Sequence, residues 1–255
     1  MNRFFISMML MSVSAWGYAQ QNTPAQGTTN PDASDPQPTV VTPGKVPCSQ
    51  PTPAPSDAII LFDGKDLSQW ESVNGGEAKW PVADGVVTVE KRLGNIRTKQ
   101  KFRDFQLHIE WRSPANVEGT SQSRGNSGVF LQGIYEIQVL DSYQNPTYWG
   151  GHAGSIYKKA APLVNATNPP GEWNVYDIIY TAPTFRKDGT YRTYPYVTVI
   201  HNGVLIQNNL RINESLNSAG IPTVREHGDG PILLQAHRDG TTTEVSFRNI
   251  WIREL

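Results

Sequence analysis

The chain has 255 residues, and its 22 basic and 23 acidic residues leave a net charge of −1. Because the charge is near zero and no basic cluster is present, nucleic acids and acidic membrane surfaces are not expected partners. The single cysteine, Cys48, excludes an internal disulfide.

The first nineteen residues resemble a secretion signal. Arg3 supplies a short positive end, residues 4–13 form an apolar core, and Gly17-Tyr18-Ala19 matches a small-x-small cleavage site. The apolar run is too short for a membrane-spanning helix, and no later segment reaches spanning length. We therefore expect residues 1–19 to direct export to the periplasm or the cell exterior, with an uncleaved anchor as the alternative.

Residues 20–56 contain nine prolines among Gln, Thr, Ala and Ser. They lack the apolar residues that would offset the entropy of ordering, so they are predicted to be a disordered or polyproline-like tether without packing contacts. Cys48 lies here and is expected to be a free thiol. A lipid attachment site is the alternative, but Val46-Pro47 is not the small-residue context of a lipoprotein signal.

Residues 57–255 show the pattern of one all-β domain. Two-residue turns at 84–85, 202–203 and 239–240 separate apolar runs, which is typical of β-hairpins. Residues 105–112 alternate apolar and polar side chains, which predicts a long strand with one buried face. Many strands with short turns and no helical periodicity predict a β-sandwich of two antiparallel sheets. Two long loops, 143–171 and 209–230, interrupt the pattern, and loops of this length are often functional.

The stretch 126–142 is the most informative. It reads as two adjacent strands joined at Gly133. In the second strand, Ile137 and Val139 share one face, and Glu136 and Gln138 share the other. A carboxylate beside an amide on a firm sheet suits a hydroxyl-rich ligand or a proton transfer.

This stretch also carries a resemblance to the bacterial 3-keto-disaccharide hydrolase family, which includes 3-keto-glucoside 1,2-lyases and 3-keto-2-hydroxy-glucal hydratases. Seven segments agree in order over residues 57–255. They are Leu61–Leu67 with Trp70, Trp80 with Asp84–Val86, Asn126–Gly128, Tyr135–Ser142, Pro169–Trp173, His201–Val204 and Phe247–Ile250. The resemblance implies a concanavalin A-like jelly-roll β-sandwich and an exported, carbohydrate-acting enzyme. It would use C2 proton abstraction and enolate chemistry on 3-keto glycosides.

Such chemistry needs a carboxylate or histidine and at least one cation. Glu136 is the first candidate for base or acid, although a surface Glu paired with a cross-strand Arg would look the same. Gln138 and Asn126 are expected to bind sugar hydroxyls. Asp141 either contacts substrate, braces the following loop or binds a cation.

The family's Trp-Arg strand ending favours Arg112 as an enolate contact, and Arg248 has similar standing; a structural Arg–Glu ladder is the alternative for Arg112. His237 is a candidate acid or base beside Gln235. Relatives carry Asp where this chain has Ala236, which removes a possible orienting partner of His237.

Tyr157 and Lys158 in the first long loop are candidate substrate contacts, with Lys158 as a capping cation or a solvated side chain. No cofactor is required by the sequence. A divalent cation at Glu136, Asp141 and His237 stays open, without any short-spaced ligand motif to support it. A non-catalytic carbohydrate-binding module and a conventional glycosidase with two carboxylates are the alternative functions.

Overall fold

In the computed structural model, residues 35–44, 51–213, 226–238, 240–241 and 244–255 are described. The predicted signal, Cys48, Asp239 of the third turn and much of the second long loop lie outside these residues. Within the described part, no helix is long and apolar enough to cross a membrane.

Fifteen strands and two short 3₁₀ turns, Ser121–Ser123 and Trp149–Gly151, make up the regular structure of the described residues. The strands are β1 Ile59–Phe62, β2 Trp70–Ser72, β3 Val82–Ala83, β4 Val86–Thr88, β5 Ile96–Thr98, β6 Phe105–Arg112, β7 Ser127–Leu131, β8 Tyr135–Val139, β9 Asn174–Thr181, β10 Thr184–Phe185, β11 Tyr191–Thr193, β12 Tyr196–His201, β13 Val204–Arg211, β14 Leu233–Leu234 and β15 Ser246–Glu254.

The strands form two packed antiparallel sheets, which confirms the predicted jelly-roll-type β-sandwich. The larger sheet has the order β13-β12-β9-β6-β15-β4-β3, with β1 also paired to β15. The smaller sheet has the order β2-β5-β14-β7-β8, and β10 and β11 form a separate hairpin. One apolar core lies between the sheets, with Trp111 and Ile109 from the larger sheet and Ile137 and Val129 from the smaller. Burying such side chains contributes about 1.5–3 kcal/mol each.

Turn chemistry sets the hairpin registers. Asp84 and Gly85 have φ angles of 52° and 78°, and Asn202 and Gly203 have 52° and 79°. Two successive positive φ values match a turn that follows the right-handed twist of the flanking strands. Both of these predicted hairpins, β3–β4 and β12–β13, are confirmed.

Parts of the described chain before residue 57 make hydrogen bonds that a tether without packing contacts would not make. Val40 pairs in parallel with Asn165 of the first long loop. Thr52 donates its backbone N–H to the Glu110 carboxylate at 3.0 Å, and its carbonyl accepts from the Asn249 amide at 2.8 Å. Backbone groups make these contacts through hydrogen bonds, which an argument from apolar content does not register. The segment also covers the outer face of β6, where Glu110 is only 1% exposed.

Candidate functional site

The outer face of the smaller sheet presents the signature residues. On β8, Ile137 and Val139 enter the core, so Glu136 and Gln138 point to the opposite face. Strand pairing places five outward-facing residues in one row across the sheet. In spatial order they are Glu136, Phe130, Leu233, Arg97 and Glu71.

Gly128 makes room for the Glu136 carboxylate. A Cβ added to Gly128 would lie 2.5 Å from Glu136 Oε1 and 2.9 Å from the Phe130 ring. Both side chains therefore lean over residue 128, which faces outward opposite Gln138. Residue 128 must be a glycine because the Glu136 and Phe130 side chains approach it so closely. A Cβ atom essentially never comes within 3.0 Å of a non-bonded heavy atom.

Burial changes the acidity of Glu136. Removal of water around the carboxyl raises its pKa to about 7, and the nearby Lys158 charge lowers it only in part. A carboxyl with a pKa near neutrality accepts and returns a proton at physiological pH, which is the property of a general base or acid. The alternative of an Arg-paired surface Glu does not hold, because the described residues place no salt-bridge partner against Glu136.

The first long loop, residues 143–171, forms a wall beside the outer face of the smaller sheet. Residues 154–157 pair with β8 as an additional edge: Gly154 N–H donates to Gln138 O at 2.9 Å, and Tyr157 N–H donates to Glu136 O at 3.1 Å. Tyr148 donates its hydroxyl to Tyr157 at 2.5 Å. Burial raises the pKa of Tyr148, and the Glu136 charge adds to this effect, so Tyr148 stays protonated. Lys158 Nζ lies 5.2 Å from the centre of the Tyr157 ring.

An amide network supports the carboxylate from the side of β7. Gln138 Nε2 donates to Gln122 Oε1 at 3.0 Å and lies 3.4 Å from Asn126 Oδ1. With the amide nitrogen on Gln122, the amide oxygen of Gln138 lies 3.2 Å from Glu136 Oε1; turning the amide over would give a bond to Glu136 in place of the bond to Gln122. The buried Asn126 donates to the Gln122 carbonyl at 2.8 Å. Asn126 therefore braces the network from beneath.

Gln235 lies on the same side of the sheet as Glu136. Gln235 N–H donates to Gly128 O at 3.0 Å, which continues the pairing of β14 with β7. Leu234 and Ala236 face the core, so Gln235 between them points outward. Among the residues that the structure describes, Gln235 Oε1 is buried and accepts no hydrogen bond. Such an acceptor beside a free face is suited to a ligand hydroxyl.

Asp141 serves as a brace. Its Oδ2 accepts from Arg124 Nε at 2.7 Å, and its Oδ1 accepts from Tyr143 N–H at 3.2 Å. Of the three interpretations of Asp141, bracing the loop after β8 agrees with these contacts. Glu136, Asp141 and His237 do not converge, because the described residues contain no group of three or more His, Cys, Asp or Glu side chains arranged to hold a metal ion.

Arg112 and Arg248 do not join this site. Their neighbours Trp111 and Phe247 enter the core from the larger sheet, so both arginines point away from the sandwich on the side opposite Glu136. The Arg112 and Arg248 guanidinium carbons lie 4.7 and 4.1 Å from the Trp173 ring. The expectation that they contact an enolate beside Glu136 is wrong, because alternation was read on each strand without knowing which sheet each strand joins.

A buried polar cluster occupies that opposite face. Glu110 accepts from Arg248 Nε at 2.5 Å and from Asn249 Nδ2 at 2.8 Å. His108 contacts Asp177 at 2.7 Å and stacks on Trp251 at 4.8 Å. Arg248 is thus held in a structural ion pair, of the kind anticipated as the alternative for Arg112.

The row that begins at Glu136 continues to a pocket. Phe130 and Leu233 are half-buried and form an apolar floor, and Arg97 Nε donates to Glu71 Oε1 at 2.8 Å beyond them. A pocket of about 280 Å³ opens beside Arg97 and Glu71 and is bordered also by Ile134. It does not border Glu136. An apolar floor between polar ends matches the amphipathic faces of a pyranose ring.

Sequence reasoning missed Tyr148, Gln122 and Phe130. Phe130 was available from strand alternation, since it lies directly opposite Glu136 in the hairpin. Tyr148 and Gln122 lie outside regular strands, and only the folded loop brings them to Glu136. No local pattern marks them.

Comparison with known proteins agrees with this geometry. A family model described as the 3-keto-alpha-glucoside-1,2-lyase-like domain matches residues 57–253. A crystal structure from Parabacteroides distasonis, provisionally described as a glycosyl hydrolase, is 63% identical, with a TM-score of 0.78 over 87% of this chain and 93% of that one. A second from the same organism, described in the same way, is 24% identical, with a TM-score of 0.57 over 78% of this chain and 94% of that one. No curated protein matches the chain.

The fold and the walled polar face thus define a β-sandwich of the glycosyl hydrolase-like, carbohydrate-acting class. The chain belongs to the 3-keto-alpha-glucoside-1,2-lyase-like domain family, which confirms the resemblance seen in the sequence.

Proposed function

We propose that the protein is an exported enzyme that cleaves or hydrates 3-keto glycosides, with Glu136 as the base that removes the C2 proton. The observation that carries the proposal is a carboxyl with a pKa of about 7 on the walled outer face of the smaller sheet. Perturbed acids in such settings are concentrated at functional sites. Membership of the family supplies the substrate class.

The reaction follows from the ketone. A carbonyl at C3 acidifies the C2 hydrogen, Glu136 takes that proton, and the electron pair moves onto the C3 oxygen as an enolate. Collapse of the enolate breaks the bond between C1 and the aglycone oxygen and leaves a C1–C2 double bond. The departing aglycone oxygen takes up a proton. Addition of water at C1 with return of a proton to C2 gives net hydrolysis.

The residues around Glu136 fit the other requirements. Lys158 supplies a positive charge toward the enolate oxygen, and the Tyr157 hydroxyl, which accepts from Tyr148, supplies a donor. Gln235 presents an amide oxygen for a sugar hydroxyl, and Gln138 is kept as a candidate sugar contact. His237 is kept as a candidate acid.

The row across the sheet favours this chemistry over a glycosidase with two carboxylates. Glu71 is the other carboxylate in the row and lies four strands from Glu136. At about 4.8 Å between neighbouring strands, the separation is about 19 Å. The paired acids of glycosidases lie about 5–10 Å apart.

The test compares wild type with Glu136→Gln on a 3-keto glucoside and on the matching unoxidised glucoside. We expect wild type to convert only the 3-keto substrate, and the variant to lose at least about 10²-fold in kcat while still binding it. Binding without turnover in wild type would favour a carbohydrate-binding module. Hydrolysis of the unoxidised glucoside would favour a conventional glycosidase.

A further inference from the structure

The segment 35–44, before the domain recognised by sequence, lies against the loop that walls the candidate site. Val41 N–H donates to Asn165 O and Asn165 N–H donates to Thr39 O, both at 2.9 Å. These bonds form one parallel bridge centred on Val40. Trp149 N–H also donates to Asp35 Oδ2 at 3.3 Å. The segment therefore contacts the loop at both of its halves.

Gln37 holds the first half of the loop through its side-chain amide. Its Nε2 donates to Thr147 O at 2.7 Å, and its Oε1 accepts from Thr147 N–H at 3.2 Å. The same Oε1 lies 2.9 Å from His152 Nε2. Burial lowers the pKa of His152 to about 4, so the neutral ring donates this bond. A single side chain thus satisfies both backbone groups of a fully buried residue.

From Thr147, two further hydrogen bonds lead to the carboxylate's neighbours. Gln122 Nε2 donates to Thr147 Oγ1 at 2.9 Å. Gln122 Oε1 accepts from Gln138 at 3.0 Å, and the Gln138 amide lies 3.2 Å from Glu136 Oε1. The residue after Thr147 is Tyr148, whose hydroxyl bonds Tyr157 over the same carboxylate. Thr147 is therefore the point where the N-terminal segment and the site meet.

We propose that Gln37 is a positioning residue for the candidate site, through which the N-terminal segment fixes Thr147 and so sets the surroundings of Glu136. The catalytic part of this inference rests on the proposed function. The structural part, that Gln37 holds Thr147 in place, does not rest on the proposed function. Without the Gln37 amide, the buried N–H of Thr147 loses its acceptor and the buried C=O loses a donor, which leaves polar groups poorly satisfied inside the protein. The loop then relaxes toward water, and Gln122 and Tyr148 shift with it.

The experiment measures the Glu136 titration directly in the full chain, from the ¹³C shift of its carboxyl carbon, assigned by its disappearance in Glu136→Gln. We expect a pKa near 7 in wild type and a lower value in Gln37→Ala, because a displaced loop lets water reach the carboxylate. Val40→Ala is the matched control, since Val40 is 71% exposed and pairs only through its backbone. It should leave the titration unchanged.

Gln37→Glu serves as the second variant, should Gln37→Ala fail to fold. It keeps the acceptor for Thr147 N–H and loses the donor to Thr147 O, so an intermediate shift is expected. On a 3-keto glucoside, Gln37→Ala should lower kcat about tenfold or more, with a smaller change in KM. An unchanged Glu136 titration in both Gln37 variants would overturn the inference. Absence of turnover in wild type would overturn only the proposed function.

Discussion

Glu136 Oε1 lies where a side chain at residue 128 would begin, because a Cβ on Gly128 would be 2.5 Å from it. The two residues are diagonal neighbours on adjacent strands, one a signature carboxylate and the other a signature glycine. Gly128 has no positive φ, so its role is space and not backbone conformation.

Gly128→Ala should therefore displace the carboxylate without straining the backbone. Misplacement of a catalytic group by about 1 Å costs about 10²-fold in rate, so we expect a loss of that order in kcat on a 3-keto glucoside. Gly44→Ala is the control, since a Cβ there meets nothing within 4 Å. Equal activities in the two variants would show that the position of the carboxylate does not matter.

The pH dependence should report Glu136. Because its pKa is about 7, kcat/KM should fall about tenfold per pH unit below pH 7 as the base becomes protonated. Its folded-state pKa is raised above the ordinary value of 4.5, so the charged carboxylate costs stability above pH 7 and costs nothing below about pH 4.5. Glu136→Gln should thus be more stable than wild type at pH 8.5, with no difference at pH 4. Urea denaturation at the two pH values checks this, and a less stable variant at pH 8.5 would contradict it.

Lys158 and Arg112 are cations on opposite faces of the sandwich, so substitutions of the two can be compared directly. Lys158→Met keeps the side-chain stem and removes the charge near Glu136, so we expect kcat to fall about 10²–10³-fold on a 3-keto glucoside. Arg112→Leu removes a cation from the far side of the sandwich, where it contacts Trp173, and should leave kcat unchanged. A larger loss of kcat in Arg112→Leu than in Lys158→Met would contradict this and indicate that Arg112 belongs to the site.

We expect Glu110 to contribute to the folding stability of the protein and not to its activity. Burial by itself would raise its pKa, but hydrogen bonds from His108, Asn249 and Arg248 outweigh this and hold the pKa at about 2. The stability that the carboxylate contributes is therefore full above pH 4.5 and is lost as the pH falls toward 2. Breaking a buried ion pair by removing one partner costs about 3–5 kcal/mol, so Glu110→Gln should be strongly destabilised at pH 7 and nearly neutral at pH 2.

Denaturation midpoints at the two pH values test the role of Glu110. Glu90→Gln is the control, because the Glu90–Arg92 pair is exposed and its loss should hardly move the midpoint. A Glu110 variant as stable as wild type at pH 7 would show that the cluster beneath residues 51–56 does not stabilise the sheet.

Local patterns predicted the sandwich and the face of β8 on which Glu136 lies, because alternation and turn residues act within a few positions. Asp-Gly and Asn-Gly turns with positive φ and the faces of β8 were readable directly. The sequence-based expectation put Arg112 and Arg248 beside Glu136 wrongly, because sheet membership depends on long-range pairing. Strands β6 and β15 lie in one sheet and β8 lies in the other. The packing of Gln37 was missed because it arises from specific hydrogen bonds and not from apolar content.

The proposed role of Glu136 is to remove a proton from C2 of a 3-keto sugar. The most direct measurement is turnover of a 3-keto glucoside in deuterated water, with the hydrated product analysed by mass and NMR. We expect deuterium at C2 in wild type, almost none in Glu136→Gln over the same time, and no conversion of the unoxidised glucoside. Efficient cleavage that leaves the original hydrogen at C2 would contradict it.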